Sequence, residues 1–476
     1  MNTMTIAWIA LPFFLGFSIY LFPSLDKILC LCMAIVSGGY ASQIFWSETP
    51  IELQLLDSFG VTLVIDQLSS YFILTNTLVT AAVIISCWNT NKTAFFYAQT
   101  IILHGSVNAA FVCANFMSLY VALEVIGIAS FLLIAYPRTD RSIWVGLRYL
   151  FISNVAMLFY LVGALLVYQA HNSFAFKGLA GAPPEALALI FLGLLVKGGI
   201  FVSGLWLPLT HSESETPVSA LLSGVVVKAG VYPLLRCALI VEEIDPIVRL
   251  FGMGTALLGV FYAVFDKDAK RILAFHTVSQ LGFILAAPAV GGFYALTHGL
   301  VKSALFLLVG NLPSRNIKEL QKQPIHTPIW FALVIASFSI SGFPMLAGFG
   351  AKILVMKNLL PWQVAMNLAA LGTAISFAKF IFLPHGMLPQ QTKKPGFWLA
   401  IILLLGGLIA ANGVYYEAYT LENVIKPLLT IALGWLAYLF IFQHLVVKLP
   451  RMLEQLDHLM GFMSLMLVIL FWMVFA

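Results

Sequence analysis

The chain has 476 residues, of which 61% are hydrophobic and only 9% are charged, and its mean hydropathy is +0.97. This composition excludes an ordinary water-soluble globular protein and predicts an all-α polytopic membrane protein in contact with a lipid bilayer. The formal net charge is +5, but no basic aromatic groove or arm accompanies it, so we expect no nucleic-acid partner.

Apolar runs recur along the whole chain. One bilayer crossing needs about 20 residues, and on this basis we expect roughly sixteen helices. They lie near residues 3–22, 28–46, 67–88, 94–113, 115–135, 144–169, 186–206, 217–240, 247–265, 271–290, 293–311, 327–360 (interrupted), 362–383, 397–413, 425–446 and 459–475. The first run has no Lys or Arg ahead of it, so we interpret it as a retained helix and not as a signal peptide.

The connections between these runs alternate in charge. One side receives the basic residues Lys27, Lys92, Arg138, Arg141, Lys267, Lys270, Arg271, Arg315, Lys318, Lys322, Lys393, Lys394, Lys448 and Arg451. The other side receives the acidic residues Glu48, Glu52, Asp57, Glu185, Glu242, Glu243, Asp245, Glu417 and Glu422. By the positive-inside rule the basic loops are cytoplasmic or stromal, which predicts both termini on the outer side, periplasmic or lumenal. We expect a bacterial plasma membrane or a thylakoid membrane.

Six charged residues stand inside the apolar runs: Glu124, Lys197, Lys228, Lys302, Lys352 and Lys379. A charge at membrane depth costs roughly 3 kcal/mol or more on insertion scales, so such residues face a protein interior or a wet cavity and indicate an ion path. The sequence therefore favours translocation of protons or cations.

No motif for a cofactor accompanies these charges. The five cysteines form no CxxC pair and no iron–sulfur spacing, and they are expected to be small core residues. The chain also has no glycine-rich nucleotide fingerprint after a strand pattern, no HExxH and no GxSxG. We expect no cofactor and no redox chemistry in this chain itself.

Two helix interruptions adjoin intramembrane lysines. Residues 198–208 follow Lys197, and residues 342–350 precede Lys352. Gly and Pro free backbone groups there, which at membrane depth are tolerated only inside protein or beside water. Paired interruptions are typical of inverted repeats and their ion sites. The alternative is that Gly and Pro are simply common in membrane helices.

The most specific sequence signal is a set of motifs in a fixed order. It begins with Trp206-Leu-Pro-Leu-Thr-His211 and Thr216-Pro-Val-Ser-Ala220. It continues through residues 228–236, 268–282, 297–307 and 342–352. This order resembles the antiporter-like subunits shared by respiratory complex I and the Mrp multisubunit cation/proton antiporters. The resemblance covers about residues 67–385 well and both ends weakly.

The resemblance implies about fourteen core transmembrane helices with two inverted five-helix repeats and broken helices, and the apolar runs add an extra C-terminal helical pair. We expect N-terminal helices and an acidic outer loop in residues 1–66, a first half-channel repeat in 67–240, a second in 241–385 and C-terminal helices in 386–476. The linker from Lys448 to Asp457 is too short for the long lateral helix of one complex I subunit.

The family's translocation residues are matched by motif position. Glu124 is similar to the acidic partner of the broken-helix lysine, here Lys197. Lys228 resembles the lysine of the next helix, Lys302 the central connecting lysine and Lys352 the terminal charged group of the second half. A desolvated lysine loses affinity for its proton and a nearby carboxylate restores it, so opening and closing Glu124 against Lys197 would move a proton. The alternative is a structural intramembrane pair.

Histidines supply further candidates. His298 lies four residues before Lys302, on the same helical face, and is a candidate relay member. His276 is a second relay candidate, although a histidine in this setting is more often a packing residue. Tyr294 stands where the family often has another histidine, which interrupts a continuous relay. Lys379 has no motif counterpart and is interpreted as a snorkelling or packing residue.

One histidine lies beside carboxylates. His211 with Glu213 and Glu215 matches a hinge segment of the family, so we expect no metal site there. Leu209 stands where the family motif has an acid.

The predicted function is a proton-conducting membrane subunit of a Mrp-type multisubunit cation (Na⁺)/proton antiporter, which moves protons along a buried Glu/Lys/His chain. Its partners would be protons, Na⁺ or another monovalent cation, and other hydrophobic subunits. The alternative is a proton-pumping membrane-arm subunit of an NAD(P)H–quinone oxidoreductase whose redox centres lie on other chains. A membrane scaffold, whose charges only fix helix packing, is a third interpretation.

Overall fold

The computed structural model describes residues 2–47, 49–55, 60–359, 362–387, 395–445, 447 and 449–475. Five charged residues used above to predict the orientation lie outside the described residues: Glu48, Asp57, Lys393, Lys394 and Lys448.

Helices make up nearly all of the described chain. Those before the middle of the sequence are α1 Asn2–Leu21, α2 Asp26–Phe45, α3 Gln67–Cys87, α4 Ala94–Ala110, α5 Phe116–Ile134, α6 Asp140–His171, α7 Pro184–Gly198, α8 Leu207–Glu213, α9 Thr216–Leu221 and α10 Lys228–Ile240. Those that follow are α11 Asp245–Phe265, α12 Ala269–Ala286, α13 Gly291–Val309, α14 Ile317–Leu320, α15 Thr327–Ser341, α16 Ala347–Lys357, α17 Gln363–Ile381, α18 Pro395–Ala411, α19 Leu421–Ala437 and α20 Leu456–Phe475.

Short strands occur only in connections of the described chain. β1 Ile51–Leu55 and β2 Val61–Ile65 form an antiparallel hairpin with Leu53 opposite Leu63. β3 Ile325–His326 and β4 His385–Gly386 pair in parallel and join two loops. The all-α polytopic fold predicted from composition is therefore confirmed.

Thirteen helical stretches among the described residues are long and apolar enough to cross a membrane. In chain order, α4, α12 and the interrupted pair α15 and α16 stand between them. The count of roughly sixteen helices that cross the membrane stays a prediction. The chain is an integral multi-pass membrane protein. Its division into four segments at residues 66, 240 and 385 stays a prediction.

Contacts between loops show which connections share a side. Lys92, before α4, pairs with Glu215 at 2.5 Å, and Arg315, after α13, pairs with Asp268 at 2.8 Å. At the opposite ends of the helices, the loop at 113–115 forms bridges to β2 and to the loop after α6. These contacts place some of the basic loops at the same end of the bundle, where acids in the same loops pair with the basic residues. The orientation in the membrane stays a prediction.

The most buried helices mark the centre of the bundle. Within Thr216–Ile240 and Pro288–Val309, every residue of an 18-residue apolar window is buried inside the protein, whereas only 17% and 22% of the corresponding windows of Leu421–Phe442 and Leu456–Phe475 are buried. Lysines on the first two stretches are therefore enclosed by protein, while the C-terminal helices present mostly apolar side chains outwards.

The C-terminal linker crosses from one half of the bundle to the other. α19 packs on α17, whereas α20 packs on α6 and α7. Glu454, in the linker, is buried and accepts hydrogen bonds of 2.9 and 2.5 Å from Arg271 of α12. Arg148 of α6 contacts the backbone oxygen of Glu454. A buried acid thus anchors a linker that looked merely basic in sequence.

Candidate functional site

The first broken helix is interrupted by a glycine turn. α7 ends at Gly198, and Gly199 follows with φ +68°, a left-handed conformation that favours glycine. A 3₁₀ segment, Phe201–Trp206, then leads into α8. The Trp206 indole donates to the Val196 carbonyl at 3.0 Å, so protein side chains satisfy backbone groups freed by the break.

The second broken helix repeats this arrangement. α15 ends at Ser341 and Gly342 follows with φ +84°. The amine of Lys352, on α16, donates to the Ser341 carbonyl at 3.1 Å. The amine therefore lies at the negative, C-terminal end of the broken helix, where the helix dipole would stabilise its protonated form.

Lys197 is buried, and its amine donates to the Ser153 hydroxyl of α6 at 2.6 Å. Gly127 of α5 faces the same amine, since a Cβ built there would lie 3.0 Å from the Lys197 Nζ. Glu124 is one turn earlier on α5, and its Oε1 has no hydrogen-bond partner. Glu124 and Lys197 form no ion pair in this structure.

Lys228 is fully buried beside a local change of helix type. Leu222–Val226 forms a π-helical segment between α9 and α10. The Lys228 amine donates to the carbonyls of Gly224 at 2.6 Å and Ser223 at 3.3 Å. A π-helical segment alters the usual backbone ladder, and here its carbonyls supply the partners of the lysine.

Lys302 lies at the centre of the bundle on α13. Its amine donates to the Leu273 carbonyl of α12 at 2.5 Å and lies 5.8 Å from the centroid of the Phe306 ring. Neither partner has a charge. Lys302 is thus held by a backbone dipole and an aromatic face.

His298 and His276 are both buried, and neither ring nitrogen of either residue has a hydrogen-bond partner. His298 lines a cavity of about 10 Å³ together with Gln280 and Tyr294. That volume is near the lower limit for one water molecule. The His276 ring packs on Phe377 with centroids 4.6 Å apart. The cavity makes His298 the better placed of the two for a relay through water.

A second, larger cavity adjoins Lys352. Its volume is about 230 Å³ and it lies between α16, α17 and α19. Its lining includes the buried Lys352, the exposed Lys357 and Lys426, and the polar Asn367 and Thr430. It therefore connects the buried lysine of the second broken helix with an exposed end of the bundle, and the C-terminal helix α19 forms one of its walls.

Lys379 and the two glutamates beside His211, which are also candidates from sequence, bond to groups outside the predicted path. The Lys379 amine donates to the carbonyls of Ala263, Val264 and Asp266, at or just beyond the C-terminal end of α11, at 2.7 to 3.1 Å. Such contacts satisfy carbonyls that a helix end leaves free. Glu215 and Glu213, beside His211, pair with Lys92 and Arg141.

The sequence did not single out Ser153, Ser223 or Thr277. Ser153 is the partner of Lys197, and the hydroxyls of Ser223 and Thr277 lie 2.7 Å apart between α12 and the π-helical segment. A hydroxyl residue inside an apolar run is a weak signal, because most of them bond their own helix.

Comparisons with known proteins agree with this architecture. A family model described as NADH:quinone oxidoreductase/Mrp antiporter, TM, matches residues 113–378. An Na(+)/H(+) antiporter subunit from Alkalihalophilus pseudofirmus is 28% identical over 451 residues, which cover 85% of this chain and 91% of that protein. An NADH-quinone oxidoreductase subunit from Desulforudis audaxviator is 28% identical over 391 residues, which cover 71% and 77%.

Two solved structures have a similar fold. A chain of the Mrp complex from a Dietzia species has a TM-score of 0.72 at 19% identity and covers 97% of this chain and 100% of its own length. A chain of an archaeal membrane-bound sulfane sulfur reductase has a TM-score of 0.76 at 20% identity, covering 92% and 99%.

Proposed function

We propose a function from the premise that this chain belongs to the NADH:quinone oxidoreductase/Mrp antiporter family and is an antiporter-like membrane subunit. Within that family we assign it as the proton-conducting subunit of a Mrp-type multisubunit Na⁺/proton antiporter. The similarity to an Na(+)/H(+) antiporter subunit over 85% of the chain supports this choice. The similarity to an oxidoreductase subunit over 71% supports the second candidate, a proton-pumping subunit of an NAD(P)H–quinone oxidoreductase.

One observation favours a role in proton conduction over a role as a membrane scaffold. The amines of the four translocation lysines bond only to uncharged oxygens in the described structure: Ser153 Oγ for Lys197, the Gly224 and Ser223 carbonyls for Lys228, the Leu273 carbonyl for Lys302 and the Ser341 carbonyl for Lys352. A buried lysine that only fixes packing is expected to have a carboxylate partner or, like Lys379, several carbonyls at a helix end, because an unpaired buried charge is costly. Each of the four amines here has only one or two neutral acceptors. An amine held by neutral acceptors can lose and regain its proton without leaving a carboxylate unpaired.

The proposed path begins at the half-buried Glu124. When Glu124 approaches Lys197, the carboxylate stabilises the ammonium and the lysine takes up a proton; when they separate, the lysine releases it. The proton then passes to Lys228, Lys302 and Lys352 in turn.

Two cavities support the second half of this path. His298 lines one that is about large enough for a single water, so it is placed to assist transfer next to Lys302. The cavity beside Lys352 offers the path an opening to the outer side.

The proposed setting is a multisubunit complex in a bacterial plasma or thylakoid membrane, with both termini on the outer side. The coupling cation is Na⁺ or another monovalent cation. Val121 and Ile128, which flank Glu124 on α5, are more than half exposed. Hydrophobic partner subunits that cover this face would shield the carboxylate from lipid.

The test is purification of the native complex in mild detergent, identification of every co-purifying chain and an assay of NAD(P)H-driven quinone reduction. Small membrane subunits without flavin or iron–sulfur chains, together with Na⁺-dependent pH changes in vesicles, are the expected result. A peripheral redox arm with quinone reduction would replace the antiporter assignment with the oxidoreductase one. Full transport by both Glu124→Gln and Lys197→Ala complexes would overturn proton conduction along this path.

A further inference from the structure

A pair of buried hydroxyls lies where the two halves of the bundle meet. Ser223 Oγ, in the π-helical segment, and Thr277 Oγ1, on α12, are 2.7 Å apart, and both side chains are fully buried. Neither residue is charged or aromatic. The pair brings together segments that are 54 residues apart in sequence.

Each hydroxyl belongs to a residue close to a backbone carbonyl that accepts a hydrogen bond from one of the lysines. The Lys228 amine donates to the backbone carbonyls of Ser223 and Gly224. The Lys302 amine donates to the Leu273 carbonyl, and the same carbonyl accepts the Thr277 hydroxyl at 3.0 Å. The order of groups from one amine to the other is therefore Lys228, Ser223, Thr277, Lys302.

The backbone carbonyls in this order cannot pass a proton, because they accept hydrogen bonds but have no proton to donate. A hydroxyl donates one proton and accepts others at the same time. The Ser223 and Thr277 pair therefore supplies the groups that can both receive and release a proton between the two lysines.

Resting on the proposed function, we propose that the Ser223–Thr277 hydroxyl pair transfers protons between Lys228 of the first half and Lys302 of the second. The Lys228 ammonium gives a proton to Ser223 Oγ while Ser223 gives its own to Thr277 Oγ1 and Thr277 gives its own to the neutral amine of Lys302. One positive charge moves and both hydroxyls end as hydroxyls.

The first and last steps of the transfer require each lysine amine to reach a hydroxyl. Each flexible side chain swings from its carbonyl to the neighbouring hydroxyl. Repulsion between like charges in one buried region favours having one of the two amines neutral, as the transfer requires.

The experiment uses the complete complex in proteoliposomes, with proton flux driven by an imposed pH step. Thr277→Val keeps the shape of the side chain and removes the hydroxyl, whereas Thr277→Ser keeps the hydroxyl. The matched control is Thr100→Val, since Thr100 is buried on α4 and donates only to the Phe96 carbonyl of its own helix. Lys302→Ala reports on the path as a whole.

Loss of a proton-transferring group costs roughly 10²-fold in rate, so we expect Thr277→Val to lower flux by about that factor while the Thr277→Ser and Thr100→Val complexes conduct normally. The Thr277→Ser complex should also keep the solvent deuterium effect of the unaltered complex. A role confined to packing would predict equal losses for Thr277→Ser and Thr277→Val.

Three outcomes separate this inference from the proposed function. If Thr277→Val conducts like Thr100→Val while Lys302→Ala is inactive, the hydroxyl transfer is wrong and the lysine path stands. If Lys302→Ala also conducts normally, the proposed function is wrong as well. If Thr277→Val does not assemble, Ser223→Ala replaces it, and full flux in that variant overturns the transfer.

Discussion

The amine of Lys197 lies 2.6 Å from the hydroxyl of Ser153 and forms no ion pair with Glu124, although Gly127, one turn from Glu124, faces the same amine. The amine is therefore bonded to a neutral hydroxyl on α6, while the carboxylate of Glu124, one turn from Gly127 on α5, does not pair with it. Contact with the carboxylate would favour the ammonium form, and contact with the hydroxyl leaves the proton freer to depart. The structure corresponds to the second arrangement.

Substitution of Ser153 by alanine removes the neutral partner of Lys197. We expect proton flux to fall several-fold, because the amine then stays with Glu124 and releases its proton more slowly. Flux in vesicles is the measurement. The control is Ser376→Ala, since the Ser376 hydroxyl is buried and donates only to the Gly372 carbonyl of its own helix. Equal flux in the two variants would contradict the role of Ser153.

The N-terminal end of α3 is held to α10 by Asp66, which accepts hydrogen bonds of 2.5 and 2.6 Å from Arg236. Burial by itself raises the pKa of the Asp66 carboxyl, but the hydrogen bonds and charge of Arg236, together with hydrogen bonds from Ser69, outweigh it and hold that pKa below its usual value. A lowered pKa in the folded state stabilises the protein above the unfolded-state pKa, and this contribution is lost as the pH falls through the folded-state pKa.

Asp66→Asn should therefore lower the free energy of unfolding by roughly 2 kcal/mol at neutral pH. The difference in Tm from the unaltered protein should shrink towards zero in acid, below the usual carboxyl range near about pH 4. Thermal unfolding in detergent at several pH values measures both. A difference that is constant with pH would show that the ion pair is not its source. Asp245→Asn, at the more exposed Arg249 pair, should change Tm little.

Glu454 anchors the linker that crosses between the halves. Glu454→Gln leaves the Arg271 guanidinium, on a side chain that is only 7% exposed, with one carboxylate in place of two, that of Asp266. Removing one partner of a buried pair costs roughly 3–5 kcal/mol. We expect a lower Tm and faster proteolysis between α19 and α20. The control is Glu422→Gln, at the exposed pair with Lys426, which should change neither the Tm nor the rate of proteolysis. Equal Tm values and proteolysis rates in the two variants would exclude an anchoring role for Glu454.

Lys379 and Lys302 are both buried lysines bonded to carbonyls, but we expect different roles. Lys379→Met should lower Tm while flux per assembled complex is retained, because three carbonyls at and just beyond the end of α11 lose their donor. Lys302→Met should abolish flux with a smaller change in Tm, because it removes a proton carrier bonded to one carbonyl. Parallel measurements of Tm and flux test this division. Loss of flux in the Lys379→Met complex would place that lysine on the path.

Much of the architecture was predictable from sequence. The long apolar helices, the two interruptions beside Lys197 and Lys352, and the burial of the five intramembrane lysines all follow from the local composition of each segment. Hydropathy and the cost of burying a charge are properties of a short stretch, so no tertiary information was needed.

Tertiary structure alone decided which groups meet. Lys197 bonds Ser153 across 44 residues, Lys302 bonds a carbonyl 29 residues away, and Ser223 meets Thr277 across 54 residues. The C-terminal linker returns to α6 and α12 through Glu454 for the same reason. The depth and rotation of each helix set these partners, and they result from packing against all neighbouring helices, which no single apolar run encodes.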